Sequence, residues 1–260
     1  MAGTLHPGDR EDKMPNPTAA MLTIGDEILS GRTRDANMPH LAEALTAKGM
    51  GLREARVVAD VHEEIVAALD ALRGRYTHVF TSGGIGPTHD DITADAVAAA
   101  FGVPIGVRED ARAILASHYA NPEVDLNPAR LRMARIPEGA TLIDNPVSKA
   151  PGFSIGNVHV MAGVPAIFQA MLAGLLPRLT GGRPLVSRTL RVERPEGVVA
   201  GPLAAVAAAH PSVSIGSYPF IADGRFGTNL VARSEDPAAL DAAFAALEDL
   251  GRALAAPGTP

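Results

Sequence analysis

The chain has 260 residues, with 23 Lys and Arg against 29 Asp and Glu, a net charge of −6, no Cys, no Trp and 3 Tyr. Zero cysteine excludes disulfides, iron–sulfur clusters, thiol nucleophiles and cysteine-based zinc sites. The acidic balance and an aromatic content of 4% argue against polymeric nucleic acid, which is held by clustered cations and stacking platforms.

Residues 1–18 are polar and Pro-rich and read as a flexible tail, with Met14 as an alternative initiator. No signal-peptide segment is present and no run approaches the roughly 20 apolar residues that cross a bilayer, so a cytoplasmic protein with no membrane partner is expected. Residues 19–24 form a continuous apolar run closed by Gly25, as a strand buried on both faces should. Leu41, Leu45 and Lys48 follow at helical spacing, stopped by Gly49. A strand is expected at 56–59, and Asp60 to Glu63 has capping-box spacing ahead of a helix carrying Ile65, Leu69 and Leu72. Residues 76–82 return to strand. This β–α–β–α–β rhythm implies right-handed crossovers in an open sheet with helices on both faces.

Helices are expected at 91–101, 109–119 and 128–135, the last with Arg130, Arg132 and Arg135 on a solvated face. A hairpin is expected from 152–155 and 158–161 around Gly156-Asn157, then a helix at 165–176. Residues 179–184 read as a linker between a main α/β domain, 19–180, and a small α+β domain, 185–260. In the latter a strand, an Ala-rich helix and two strands around Asp223-Gly224 precede a helix with Asp236 as N-cap and Pro237 at its first position.

Ligands of open α/β sheets bind beyond the carboxyl ends of strands. Two loops leave such ends with unusual residues: 25–31, Gly-Asp-Glu-Ile-Leu-Ser-Gly, continuing to Asp35 and Asn37, and 81–91, Thr-Ser-Gly-Gly-Ile-Gly-Pro-Thr-His-Asp-Asp. Glycines let the backbone approach a ligand, and a helix starting at Asp91 would favour an anion. The second loop is neither a Walker A loop nor a dinucleotide fingerprint, lacking Lys-Ser/Thr and placing Pro87 where the latter continues to its third glycine. Acids beside a phosphate nest, Asp26, Glu27, Asp90 and Asp91, are consistent with a divalent cation between carboxylates and phosphate. The other reading is caps and turns, since acids are favoured in first helical turns. Lys149 is a further candidate phosphate contact, and His89 a candidate acid or base.

Together, the two loops resemble the molybdopterin-binding superfamily, which includes MoaB, MogA, the MoeA catalytic domain, and the N-terminal domains of CinA and of eukaryotic FAD synthase. The resemblance covers about residues 19–176. It is nearest to the CinA-like and FAD-synthase-like branch, through Gly86-Pro87-Thr88 ahead of the acids and residues 145–153, Asn-Pro-Val-Ser-Lys-Ala-Pro-Gly-Phe. It implies a three-layer α/β/α fold with a mostly parallel sheet, followed by a small α+β domain. Ser82, Gly83, Gly84, Gly86 and Thr88 would then hold phosphate, with Asn37 and Lys149 as further ligand contacts. Asp26, Glu27, Asp90 and Asp91 would hold Mg or Co, with Asp26 and Asp90 catalytic, and no redox cofactor is implied. A homo-oligomer is also expected.

Two departures stand out. The Pro-Gly-Pro-Pro loop of CinA is here Ala162-Gly163-Val164-Pro165. No counterpart of CinA's amidase domain or of FAD synthase's second catalytic domain follows in these 260 residues, so nicotinamide-nucleotide deamidation and flavin adenylylation are not expected. Three functions remain open: a metal-dependent pyrophosphatase on ADP-ribose- or FAD-type dinucleotides, a non-catalytic ligand sensor, and a molybdopterin adenylyltransferase.

Overall fold

The computed structural model describes residues 15–255. The apolar run at the start of the sequence becomes β1 (Thr18–Ile24), in which Ala19, Ala20, Met21 and Leu22 are wholly buried. A single helical turn, α1 (Asp26–Leu29), and α2 (Asn37–Ala47) lead to β2 (Gly51–Val58), α3 (His62–Arg73) and β3 (His78–Ser82). Next come α4 (Thr93–Phe101), β4 (Ile105–Val107) and α5 (Glu109–Ala116), then the single turns α6 (Pro122–Asp125) and α7 (Pro128–Leu131). β5 (Arg135–Pro137), β6 (Thr141–Ile143), β7 (Gly152–Ile155), β8 (Val158–Met161) and α8 (Pro165–Leu175) complete the first of two units, which ends at Gly182.

Its main sheet has the order β2-β1-β3-β8-β7-β6. The first four strands run parallel, β7 turns back antiparallel to β8, and β6 pairs antiparallel with β7. Alternate residues of β1 point to opposite faces, and they enter different cores. Ala20, Leu22 and Ile24 pack with Ile65, Leu69 and Val97 from α3 and α4. Ala19 and Met21 pack with Leu41, Leu45, Phe168 and Leu172 from α2 and α8. Helices therefore cover both faces, giving the three-layer mixed α/β fold with a mostly parallel sheet. The β7–β8 hairpin turns at Gly156-Asn157 as expected, with Gly156 at φ 54°. The Asn157 Nδ2 donates to the carbonyls of Arg73 and Tyr76, pinning the turn to the end of α3.

Several boundaries differ from the sequence reading. β2 begins at Gly51, five residues before the expected start, because this edge strand alternates half-buried and exposed residues and admits Arg53 and Glu54. α4 begins at Thr93 and not at Asp91. α5 ends at Ala116, three residues short of the expected 119. The expected helix 128–135 breaks into α7 and a 3-10 turn, after which Arg135 opens β5, paired with β4. Asp60 does not cap α3, which starts at His62 without a side-chain cap.

The second unit starts at Arg183 and contains β9 (Val186–Val192), α9 (Glu196–Ala209), β10 (Ser214–Ala222), β11 (Arg225–Ser234) and α10 (Pro237–Ala255). Its antiparallel sheet has the order β10-β11-β9. Leu230, Val199, Leu240, Phe244 and Leu247 form its core. Asp236 Oδ1 accepts from the Ala238 and Ala239 amides, the N-cap read from the sequence. Among the described residues, no helix is long and apolar enough to cross a membrane.

Candidate functional site

The site lies at the carboxyl ends of β1, β2, β3 and β8. The loop after β3 is shaped by close approach. Gly83 has φ 107° and Gly84 φ 67°, conformations that L side chains rarely adopt. A Cβ on Gly83 would strike the Ile24 carbonyl, and one on Gly84 would strike the Thr93 hydroxyl. Thr93, wholly buried at the start of α4, closes the loop by donating its hydroxyl to Gly83 O (3.0 Å) and its amide to Gly84 O (3.0 Å). The amides of Gly84, Ile85 and Gly86 donate to no other group among the described residues. Consecutive free N–H groups on a loop are the kind of arrangement that takes an anion in other proteins.

These glycines line a cavity of about 490 Å³, together with Glu27, Asp91, Asn145, Ser148 and Val164. That volume lies within the range of small-molecule sites. Asn145 is buried and saturated: its Oδ1 accepts from the Val147 and Ser148 amides, and its Nδ2 donates to Ser148 Oγ and Ala150 O. It shapes the wall and has little left for a ligand. Lys149 follows at φ 60°, a left-handed position unusual for lysine, and does not line the cavity.

The acids divide into two groups. Asp91 Oδ2 accepts from the Thr88 amide (2.8 Å) and from the Thr88 hydroxyl, so Asp91 and Thr88 brace the loop against each other. Asp26, Glu27 and Asp90 instead meet a fourth carboxylate that the sequence reading had assigned to a cap, Asp60. The Asp26 amide donates to Asp60 Oδ2 at 2.9 Å. Burial raises the Asp60 carboxyl above its ordinary range, opposed by that hydrogen bond and reinforced by the charges of Asp26, Glu27 and Asp90. Asp90 is exposed, and the neighbouring Thr88 hydroxyl, its own backbone amide and His89 hold it below the usual carboxylate range. Among the described residues, no three acid or histidine side chains converge tightly enough to form a ready-made metal cage. Magnesium-type cations need only one or two carboxylates when phosphate oxygens complete the shell, so this donor set of hard oxygens still fits one.

Asn37 is buried, its Nδ2 committed to Ser82 Oγ (2.7 Å) and Gly163 O (2.8 Å). Both amide hydrogens of Asn37 are spent inside the protein, so Asn37 presents no side-chain N–H to phosphate, and Ser82 Oγ serves as the acceptor of one of them. The arginines also depart from the expected solvated face. Arg135 makes a two-point ion pair with Asp95 (2.6 and 2.7 Å), and Arg132 Nη2 donates to Asp91 O (3.0 Å). Arg130 lies over the Tyr119 ring and donates to Asp125 O. Sequence reasoning missed Asp60, Thr93 and Arg132. For Asp60 the signal was present, since it follows the carboxyl end of β2 just as Asp26 follows that of β1.

Residues 20–181 match the family model described as "Probable molybdopterin binding domain". The chain belongs to this family. Residues 184–254 match a second model, "FAD synthase, middle domain". A CinA-like protein of Desulfosudis oleivorans is 36% identical over 209 residues, covering 76% of this chain and 51% of that protein. A CinA-like protein of Myxococcus xanthus is 33% identical over 245 residues, covering 88% and 57%. The chain thus spans just over half the length of these two curated relatives. The crystal structure of CinA from Thermoplasma acidophilum, described as of unknown function, superposes with a TM-score of 0.59 at 36% identity, covering 62% of this chain and 97% of that one. These matches place the chain in the CinA-like branch of the molybdopterin-binding-domain family.

Proposed function

We propose that this molybdopterin-binding-domain protein binds a phosphorylated nucleotide or pterin on the Gly84–Gly86 amides and acts as a divalent-metal-dependent pyrophosphatase on ADP-ribose- or FAD-type dinucleotides. The observation carrying this reading is that three free backbone N–H groups share a cavity with Glu27, a member of the mutually repelling acids Asp26, Glu27, Asp60 and Asp90. The amides take an anionic oxygen, whereas the acids would repel it unless a cation lies between. Asp26, Glu27 and Asp90 would hold Mg²⁺ or Co²⁺, which when bound polarises a phosphoryl oxygen and lowers the pKa of its water. Asp60 accepts the Asp26 amide and so holds that strand end beside the cluster. Thr88 and Asp91 keep the loop in shape. A cytoplasmic setting and a homo-oligomeric state belong to the same proposal.

Incubation with ADP-ribose or FAD and either metal is expected to release AMP, measured by chromatography; no AMP with either metal would sink the hydrolase reading. Asp90→Asn removes a charge beside the cation and is expected to slow release at least about tenfold without lowering the melting temperature. Undiminished release would remove Asp90 from the mechanism. The match to a molybdopterin-binding model favours one second reading, a pterin as ligand. Tight molybdopterin binding without turnover would support a sensor, and ATP-dependent adenylyl transfer to it an adenylyltransferase.

A further inference from the structure

A diphosphate brings negative charge into a site that already holds Asp26, Glu27, Asp60 and Asp90. The glycine-loop amides suit one phosphate, and a single divalent cation offsets only part of the remaining charge. A cationic side chain is needed where a second phosphate would lie. Lys149, the cation expected from the sequence, lines neither the main cavity nor the smaller one beside it. Arg132 and Arg135 line a separate space of about 10 Å³ and are committed, to Asp91 O and to Asp95.

The main cavity has no Lys, Arg or His among its lining residues. A side cavity of about 50 Å³ shares Glu27, Thr33, Gly163 and Pro165 with it and adds one cation, Arg34. That volume has room for about four waters, or for a phosphoryl group in their place. Arg34 is exposed, and its side chain makes no hydrogen bond or ion pair among the described residues. The acids beside it do not claim it. Asp35 spends Oδ1 on the Asn37 and Met38 amides and Oδ2 on the Thr23 hydroxyl, and Glu27 forms no ion pair with Arg34. The backbone on either side is tied down, with the Thr33 amide donating to Glu27 O (2.9 Å) and the Asn37 amide to Asp35 Oδ1 (2.8 Å). A braced loop thus brings an uncommitted guanidinium to the side cavity.

We infer that Arg34 is the partner of the ligand's second phosphate. The first phosphate lies on the Gly84–Gly86 amides and the second enters the side cavity, where the planar guanidinium takes two of its oxygens. Glu27, which lines both spaces, keeps its place as a metal ligand where they meet. Hydrolysis adds one water across the P–O–P bond and yields two monophosphates, and Arg34 offsets the charge growing on the phosphate it holds. This rests on the nucleotide reading above and narrows it to diphosphates over monophosphates.

Calorimetry on the full chain, at fixed Mg²⁺, compares AMP with α,β-methylene-ADP, whose bridge resists hydrolysis. The diphosphate is expected to bind the wild-type chain at least about tenfold more tightly than AMP. In Arg34→Gln that preference should fall to within a few-fold, with the AMP affinity and the melting temperature unchanged. Arg34→Lys keeps the charge without the fork and should retain part of the preference. Equal binding of the two ligands by the wild-type chain would overturn the second-phosphate site and leave the nucleotide reading standing. An undiminished preference in Arg34→Gln, or an equal loss of both ligands, would remove Arg34 from the second phosphate. If the wild-type chain binds neither ligand, both the subsite and the nucleotide reading fail.

Discussion

Gly83→Ala is expected to destabilise the fold by about 3 kcal/mol and to weaken nucleotide binding by about a hundredfold or more, the largest loss expected of any single methyl group here. Two costs add. At φ 107° the backbone sits where alanine is strained, and the new Cβ meets the carbonyl of Ile24, a strand atom with no rotamer to change. Retreat on the other side is restricted because Gly163 lies against Gly83 so closely that even a Cβ built on Gly163 would come within 3.2 Å of the Gly83 Cα. The loop would have to lift off β1, breaking its closure by Thr93 and dispersing the three free amides. Thermal melting should show a fall of roughly 5–10 °C, and calorimetry with ADP-ribose the loss of affinity. Gly174→Ala is the control: it lies in α8 with open space around its Cβ, and replacing a helical glycine should stabilise by about 0.5–1 kcal/mol. A Gly83→Ala chain that melts and binds like wild type would show that the close approach to Ile24 is not what shapes the loop.

The fold class was legible because its signals are local. A strand buried on both faces must read as an uninterrupted apolar run, and Ala19–Ile24 does; a two-residue turn wants glycine, and Gly156 supplies it. The failures have a common physical origin in tertiary contacts that override local preference. Residues 128–135 look helical by spacing, but Arg135 is drawn into strand pairing with β4 and into its ion pair with Asp95, forty positions away. Asp60 has the spacing of a cap, but a stronger use for its carboxylate is the Asp26 amide on the neighbouring strand end. The edge strand β2 carries charges because one side faces solvent, so its first half gave no apolar signal. At the site, the glycines and acids stood out as residue types. Which acids brace the loop and which face the cluster depends on the hydrogen bonds from the Thr88 amide and hydroxyl to Asp91, and no pattern in the chain encodes that.

Away from the site, acid is expected to unfold the chain through a histidine pair. His159, on β8, is 4% exposed, with Nδ1 2.8 Å from Ser154 Oγ and Nε2 3.1 Å from His78 Nδ1. Burial first, then the charges of His78 and Arg178, depress its pKa to about 3, and burial lowers His78 as well. Both imidazoles are therefore neutral in the fold at pH values where an unfolded chain, titrating near 6.5, already binds protons. Stability is unaffected above about pH 7 and falls as the pH drops from about 6.5 towards 3, by up to about 1.4 kcal/mol per pH unit for His159 alone. Urea midpoints at pH 7, 6, 5 and 4 should trace this slope. His159→Gln keeps an amide able to reach Ser154 and His78 but has no proton to gain. It is expected to lose about 1–2 kcal/mol at pH 7 and to show a shallower decline below pH 6.5, so that the two curves approach each other in acid. The substitution leaves the carboxylates in place, so the difference in slope reports the His159–His78 pair. Parallel curves would mean that His159 is protonated in the fold at the same pH as in the unfolded chain, and that the Ser154–His159–His78 chain tolerates a buried positive charge.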